Sequence, residues 1–120
     1  MSVYERLGDV RARAVTLGQI ADVLQAQGQL DEALRIRQEE ELPVYERLGV
    51  QRDILVAQAV IALNLLQRDA PGDRVRAVRL LNLAMDAARR MRLPEAAQIE
   101  AILAQIRPTR QNAQMASGDA

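Results

Sequence analysis

Three stretches of the chain carry enough ionisable side chains to suggest chemistry. Glu39-Glu40-Glu41 offers three carboxylates to a hard cation. Asp69 and Asp73 bracket Ala70-Pro71-Gly72 as calcium ligands would bracket a turn, and Arg74, Arg76, Arg79, Arg89, Arg90 and Arg92 form a basic strip that could meet phosphate. Spacing argues against the first two, and charge balance against the third. Consecutive residues on a helix point about 100° apart, so the three glutamates cannot converge on one ion and are expected on a solvated face. The aspartates lack the alternating acidic ligands of a calcium loop, and a turn with a helix cap accounts for both. Sixteen basic residues balance sixteen acidic ones, so nothing overall draws the chain to nucleic acid or to an anionic membrane.

The absences are equally informative. The chain has neither cysteine nor histidine, which removes disulfides, thiol nucleophiles, the usual zinc and haem ligands and the commonest general base. Two tyrosines are its only aromatics, so stacking platforms for single-stranded nucleic acid are missing too. The carboxylates show no paired arrangement. These features predict a protein that is not an enzyme and holds no metal and no cofactor. No apolar run approaches the ~20 residues needed to span a bilayer, and no leader-like N-terminus is present, so a cytoplasmic location with no membrane partner is expected.

The elements that carry these side chains are set by a duplication. Val44-Tyr45-Glu46-Arg47-Leu48-Gly49 repeats Val3-Tyr4-Glu5-Arg6-Leu7-Gly8 after 41 positions. A fixed period in this range, joined to helical patterning, predicts an all-α solenoid of stacked helical hairpins. Met1 to Leu7 reads as a short helical stub, the end of a helix whose full version runs from Asp31 to Leu48, as if the chain began partway through a longer array. A first helix then starts at Asp9 as its cap, carries Val10, Ala14, Leu17, Ala21 and Leu24 on one face, and ends at Gly28. Asp31 is expected to cap the second helix, and Pro43, which cannot donate to the Glu39 carbonyl, to bend it near 39–43.

The third helix, from Gln51 to Arg68, is apolar almost all round and should be buried on several sides. A turn at Asp69–Asp73 leads, with Asp73 as cap, into a fourth helix over 74–91 with Val75, Val78, Leu81, Ala84, Met85 and Ala88 on its buried face. The fifth, starting at Leu93-Pro94-Glu95, has a clear apolar side of Ala96, Ile99, Ile102, Leu103 and Ile106. The domain thus covers 1–106, and the small, polar residues 107–120 are expected to be a disordered tail. The acidic second helix and arginine-rich fourth helix should lie side by side, acid facing base.

Residues 17 to 33 resemble a tetratricopeptide repeat: Leu17, Ile20-Ala21, Leu24, Gly28, Leu30 and Ala33 take that pattern's bulky, small and turn positions. The period of 41 and the ending Leu48-Gly49 look like the long variety found in kinesin light chains and many bacterial signalling proteins, at the C-terminal end of an array. The second copy departs where Asp69 replaces the turn glycine. The resemblance implies that the first helix of each pair lines a concave groove, with Val15, Gly18, Gln19, Asp22 and Gln25 facing a ligand from the first repeat. Val56, Ala59, Val60, Leu63, Leu66 and Gln67 would do so from the second.

The expected function is a scaffold that binds a peptide or partner helix in that groove. The alternative is a self-associating structural or oligomerisation module of a larger bacterial signalling protein, with a homodimer formed through Tyr4, Leu7 and the exposed side of the first helix. The apolar patch on the third helix is open in the first case. A covering by the fifth helix or by a second copy is the favoured reading of it, because terminal helices commonly cover such surfaces.

Overall fold

A computed structural model describes residues 2–106 of the chain, in which every regular element is helical. They are α1 (Val3–Ala26), α2 (Leu30–Arg35), a π-helical segment (Ile36–Glu41), α3 (Leu42–Leu48), α4 (Gln51–Arg68), α5 (Asp73–Arg90) and α6 (Glu95–Ile106). The π-helical segment joins α2 and α3 without a break, so the described residues make five rods. The tail expected over 107–120 lies outside the described residues.

The stub and the first helix are one element, not two. Ser2 is the N-cap of α1, its Oγ accepting the Glu5 N–H at 3.1 Å, and Gly8 and Asp9 lie inside the helix. The duplicated hexapeptide therefore ends in two ways. At Gly49 the backbone turns left-handed (φ 69°), its N–H donates to the Tyr45 carbonyl, and α4 starts back at Gln51. At Gly8 the helix simply runs on. Among the described residues the two copies differ in packing: Tyr45 is buried against Ala14 and Ala57, whereas Val3 and Leu7 are exposed. Glycine accepts either backbone, so tertiary contact decides.

The irregularity expected at 39–43 is the π-helical segment. The Leu42 N–H donates to the Arg37 carbonyl five residues back, just before Pro43, whose ring crowds the carbonyl of Glu39 and has no N–H to offer it. Expected caps shift as well. α2 starts at Leu30 with no side-chain cap; Asp31 instead accepts from Arg68 Nη1 at 3.0 Å. Asp73 stands inside α5 after Gly72, and its carboxylate is buried. It takes Arg68 Nε and Nη2 at 2.8 and 2.7 Å and the Ala70 N–H at 2.9 Å, which closes the turn. Asp69, where a turn glycine was missing, adopts the left-handed conformation itself (φ 53°), one that aspartate tolerates.

The main core joins α2, α4, α5 and α6 through Leu34, Leu55, Ile61, Leu65, Leu81 and Leu103. Each such side chain stabilises the fold by roughly 1.5–3 kcal/mol on burial. The buried stripe of α5 is Ala77, Leu81, Ala84, Met85 and Ala88; Val75, assigned to it from the sequence, is exposed. α4 is not buried all round: Val56 and Leu63 remain 41% and 40% exposed. Nor does acid face base across the second helices. Among the described residues Glu39 and Glu40 pair with Arg35 of their own rod, while Arg76 pairs with Asp73 and Arg89 with Glu100. A cleft lined by Gln38 and Leu42 on one side and Arg76, Arg79 and Leu80 on the other separates the two rods.

Asn64 is fully buried on α4, and neither Oδ1 nor Nδ2 has a hydrogen-bond partner. Leaving such a group unpaired costs about 1–3 kcal/mol. Asn64→Leu, which keeps the branching at Cγ and removes both polar atoms, should therefore raise the urea midpoint with an unchanged slope. A fall in the midpoint would show that the amide is held by a bound water or that leucine overpacks the site.

Candidate functional site

The 41-residue period reappears as a set of side-chain ties between α1, α4 and α6. Arg11 on α1 donates through Nε and Nη2 to both carboxylate oxygens of Asp53 on α4, at 2.7 and 3.0 Å. Arg52, the residue 41 positions after Arg11, donates from α4 to Glu95 on α6. At the other end of α1, Gln25 Nε2 donates to Gln67 Oε1 at 2.8 Å. The three helices thus stand side by side on one face, each stitched to the next by the same kind of contact.

Two clefts open on that face. The first, of about 350 Å³, lies between α1, the π-helical segment with α3, and α4. Its lining includes Arg11, Arg37, Glu41, Tyr45, Val56 and Val60. The second, of about 160 Å³, lies between α4 and α6 and is lined by Leu55, Val56, Ala59, Val60, Leu63 and Ile102 among others. Val56 and Val60 border both, so a polar cleft and an aliphatic one share a wall.

The polar cleft is built on Arg37, Glu41 and Tyr45, of which Glu41 was expected on a solvated face. Arg37 is only 3% exposed; its Nη2 donates to Asp22 Oδ1 at 2.6 Å and to Gln25 Oε1 at 3.1 Å, and its Nη1 stands 3.8 Å from Glu41 Oε1. Its Nε–H is buried without a partner. Glu41, expected on a solvated face with Glu39 and Glu40, is buried, while Glu39 is exposed. Burial pushes its carboxyl above the ordinary range, with Arg37 and the Tyr45 hydroxyl pulling the other way. The Tyr45 hydroxyl donates to Glu41 Oε2 at 3.4 Å and is itself pushed up to about 12, mainly by burial and then by the neighbouring Glu41 charge.

Of the groove residues assigned from the sequence, Val56, Ala59, Val60 and Leu63 are gathered in the aliphatic cleft. Asp22, Gln25 and Gln67 lie on the same face, but Arg37 and one another already occupy them. Gln19 is exposed beside them and lines neither cleft. Gly18 is not ligand-facing: the Glu41 carboxylate rests on it, and a Cβ there would overlap Oε2. That close approach explains a glycine inside a helix, where it costs up to about 1 kcal/mol relative to alanine. The aliphatic patch is only partly covered, since α6 lays Ile99 and Ile102 along one side of it and leaves Val56 and Leu63 open to solvent.

Arg37 and Glu41 carried a signal in the sequence. They continue the buried spacing of Ala33 and Leu34 at steps of three and four, a helical face read past because both are charged. Among the described residues no three acidic side chains cluster to hold a metal ion, and no helix is long and apolar enough to cross a membrane. Comparison of the chain with family models, curated proteins and solved structures finds no match.

Proposed function

We propose that this chain is a protein-interaction scaffold of the tetratricopeptide type, a short helical-hairpin solenoid that takes an extended peptide across the face formed by α1, α4 and α6. The observation that carries this reading is the pair of adjoining clefts that share Val56 and Val60. An aliphatic side chain of the peptide fits between Val56, Leu63 and Ile102. The neighbouring backbone then crosses the polar cleft, where the half-exposed Arg11 and Arg52 side chains form part of the lining. The repeated ties from Arg11 to Asp53 and from Arg52 to Glu95 support the solenoid, because stacked units of one kind should meet through equivalent residues.

The test is selection from a displayed random-peptide library. The parent should enrich peptides that share an aliphatic residue at a fixed position. Val56→Asp and Leu63→Asp should abolish their binding, because each puts a charge into the aliphatic cleft. Val75→Asp, on an exposed apolar residue of α5 away from both clefts, should bind as the parent does. Enrichment without a shared position, or binding that survives Val56→Asp, would refute the reading.

A further inference from the structure

The cleft between the second rod, residues 30–48, and α5 has a volume of about 220 Å³, an apolar floor and one charged wall. Ile61 of α4 lies at its base, 1% exposed, with the half-buried Leu42 and Leu80 on either side. Arg76 and Arg79 stand on the α5 wall, while the facing wall offers only Gln38 and Leu42. The positive charge there is uncompensated. Among the described residues Arg79 pairs with no carboxylate, and Arg76 reaches only Asp73 at 3.9 Å, whose two oxygens already accept from Arg68. Walls and floor all come from α4, α5 and the second rod, so the cleft does not depend on what stacks before α1 or after α6.

We infer that this cleft docks an amphipathic helix of a partner protein, one whose apolar stripe is flanked by carboxylates on the side that meets α5. Apolar side chains of the stripe enter between Leu42 and Leu80 over Ile61. Carboxylates on the flank meet Arg76 and Arg79, whose planar guanidinium groups suit two-point pairing.

Two features favour a helix over an extended segment. Arg76, Leu80 and Leu83 follow at steps of four and three, the last 52% exposed, so α5 presents side chains once per turn, about 5.4 Å apart. A partner helix repeats at the same interval and keeps register along the groove, whereas same-side residues of a strand recur every ~6.6 Å and drift out of it. An extended segment would also bring backbone N–H and C=O groups into a lining that holds one amide and two guanidinium groups. A helix pairs its own.

The two rims are unlike, which sets the direction of the helix. Glu39, next to Gln38 and 67% exposed, opposes a second acidic flank. A helix acidic along one flank alone therefore lies in one direction only. This docking is independent of peptide capture, because the clefts bordered by Val56 and Val60 share no residue with it.

The probe is a displayed library of helical peptides with leucine at positions i, i+3, i+4 and i+7 and each flanking position varied among glutamate, glutamine and lysine. Selection on the parent should enrich glutamate along one flank and not the other. Arg79→Glu, which replaces an attraction by a repulsion, should weaken the selected peptides about fivefold or more, and lysine in place of their glutamates should restore binding to that variant. Its melting should match the parent's, since Arg79 is exposed. Arg13→Glu, exposed on α1, and Val56→Asp should both bind as the parent does, which separates this site from the peptide face. No enrichment, equal binding of lysine-flanked peptides to the parent, or binding untouched by Arg79→Glu would overturn the proposal. So would co-sedimentation of the parent with phosphatidylserine vesicles, or a dimer of the parent in light scattering, that Arg79→Glu abolishes, because the cleft would then serve a membrane or a second copy.

Discussion

Leu65→Asp should leave no folded protein, while Leu63→Asp, two residues away on the same helix, should melt within a few degrees of the parent. Leu65 is fully buried in the cluster that joins α2, α4, α5 and α6. An aspartate there removes an apolar side chain from four packed elements and buries a carboxylate with no partner. Either change alone is comparable to the whole stability of a small domain. Leu63 is 40% exposed and points into the open aliphatic cleft, so its replacement can reach water. Circular dichroism melts of the two variants and of Leu65→Ala are the measurement. The alanine should cost about 2–5 kcal/mol and remain folded at low temperature. Equal melting of Leu63→Asp and Leu65→Asp would mean that α4 is enclosed on all sides, and the peptide face would be lost with it.

That contrast marks where the sequence stopped being readable. Its eleven large and small apolar residues declare α4 a helix with buried surface, but no single face holds them all, and periodicity alone cannot say which side is left open. The open side is set by α6, whose buried Ile99 and Leu103 fix how far it reaches across α4. The limits of α4 and the position of the turn after Arg68 were legible because Gly49, Pro71 and Gly72 interrupt the pattern locally. The start of α1 was not. Gly8 is part of the duplicated hexapeptide, yet a glycine obeys whatever packing surrounds it, and the packing that turns the chain at Gly49 is absent at Gly8.

Charged residues concealed the rest. Glu39-Glu40-Glu41 is one acidic run in sequence, but the rotation from each helical residue to the next that forbids a shared ion also forbids a shared exposure. The rotation sends Glu39 to water and Glu41 to α1. Gly18, Arg37, Glu41 and Tyr45 form one contact set: the glycine admits the carboxylate, the π-helical segment carries both Arg37 and Glu41, and the tyrosine hydroxyl closes it. No pairwise spacing in the sequence points to Gly18 and Glu41, which come from different helices.

Stability should rise from strongly acid pH to about pH 4 and decline again towards neutrality, because two buried carboxylates titrate in opposite senses. Asp73 is held down to about 2 from its ordinary 3.8, chiefly by its hydrogen bonds from Arg68. Its contribution is fully present above pH 3.8 and is lost as the pH falls through about 2. Glu32 and Glu95, lowered from 4.5 by Arg35 and Arg52, act in the same direction. Glu41 is the reverse case. Burial raises it above 4.5, so the folded state binds its proton more tightly than the unfolded chain does. Stability from this group is whole below pH 4.5 and is lost as the pH rises through the raised folded value.

Glu41→Gln keeps the shape and an acceptor for Tyr45 without the charge. Its urea midpoint should exceed that of the parent at pH 7, match it near pH 4, and show no decline between the two. Asp73→Asn should instead lower the midpoint most above pH 4 and flatten the acid limb. If Glu41→Gln is less stable than the parent at pH 7, attraction to Arg37 outweighs the burial of the charge. The polar cleft would then owe its stability to an ion pair that the 3.8 Å separation makes look weak.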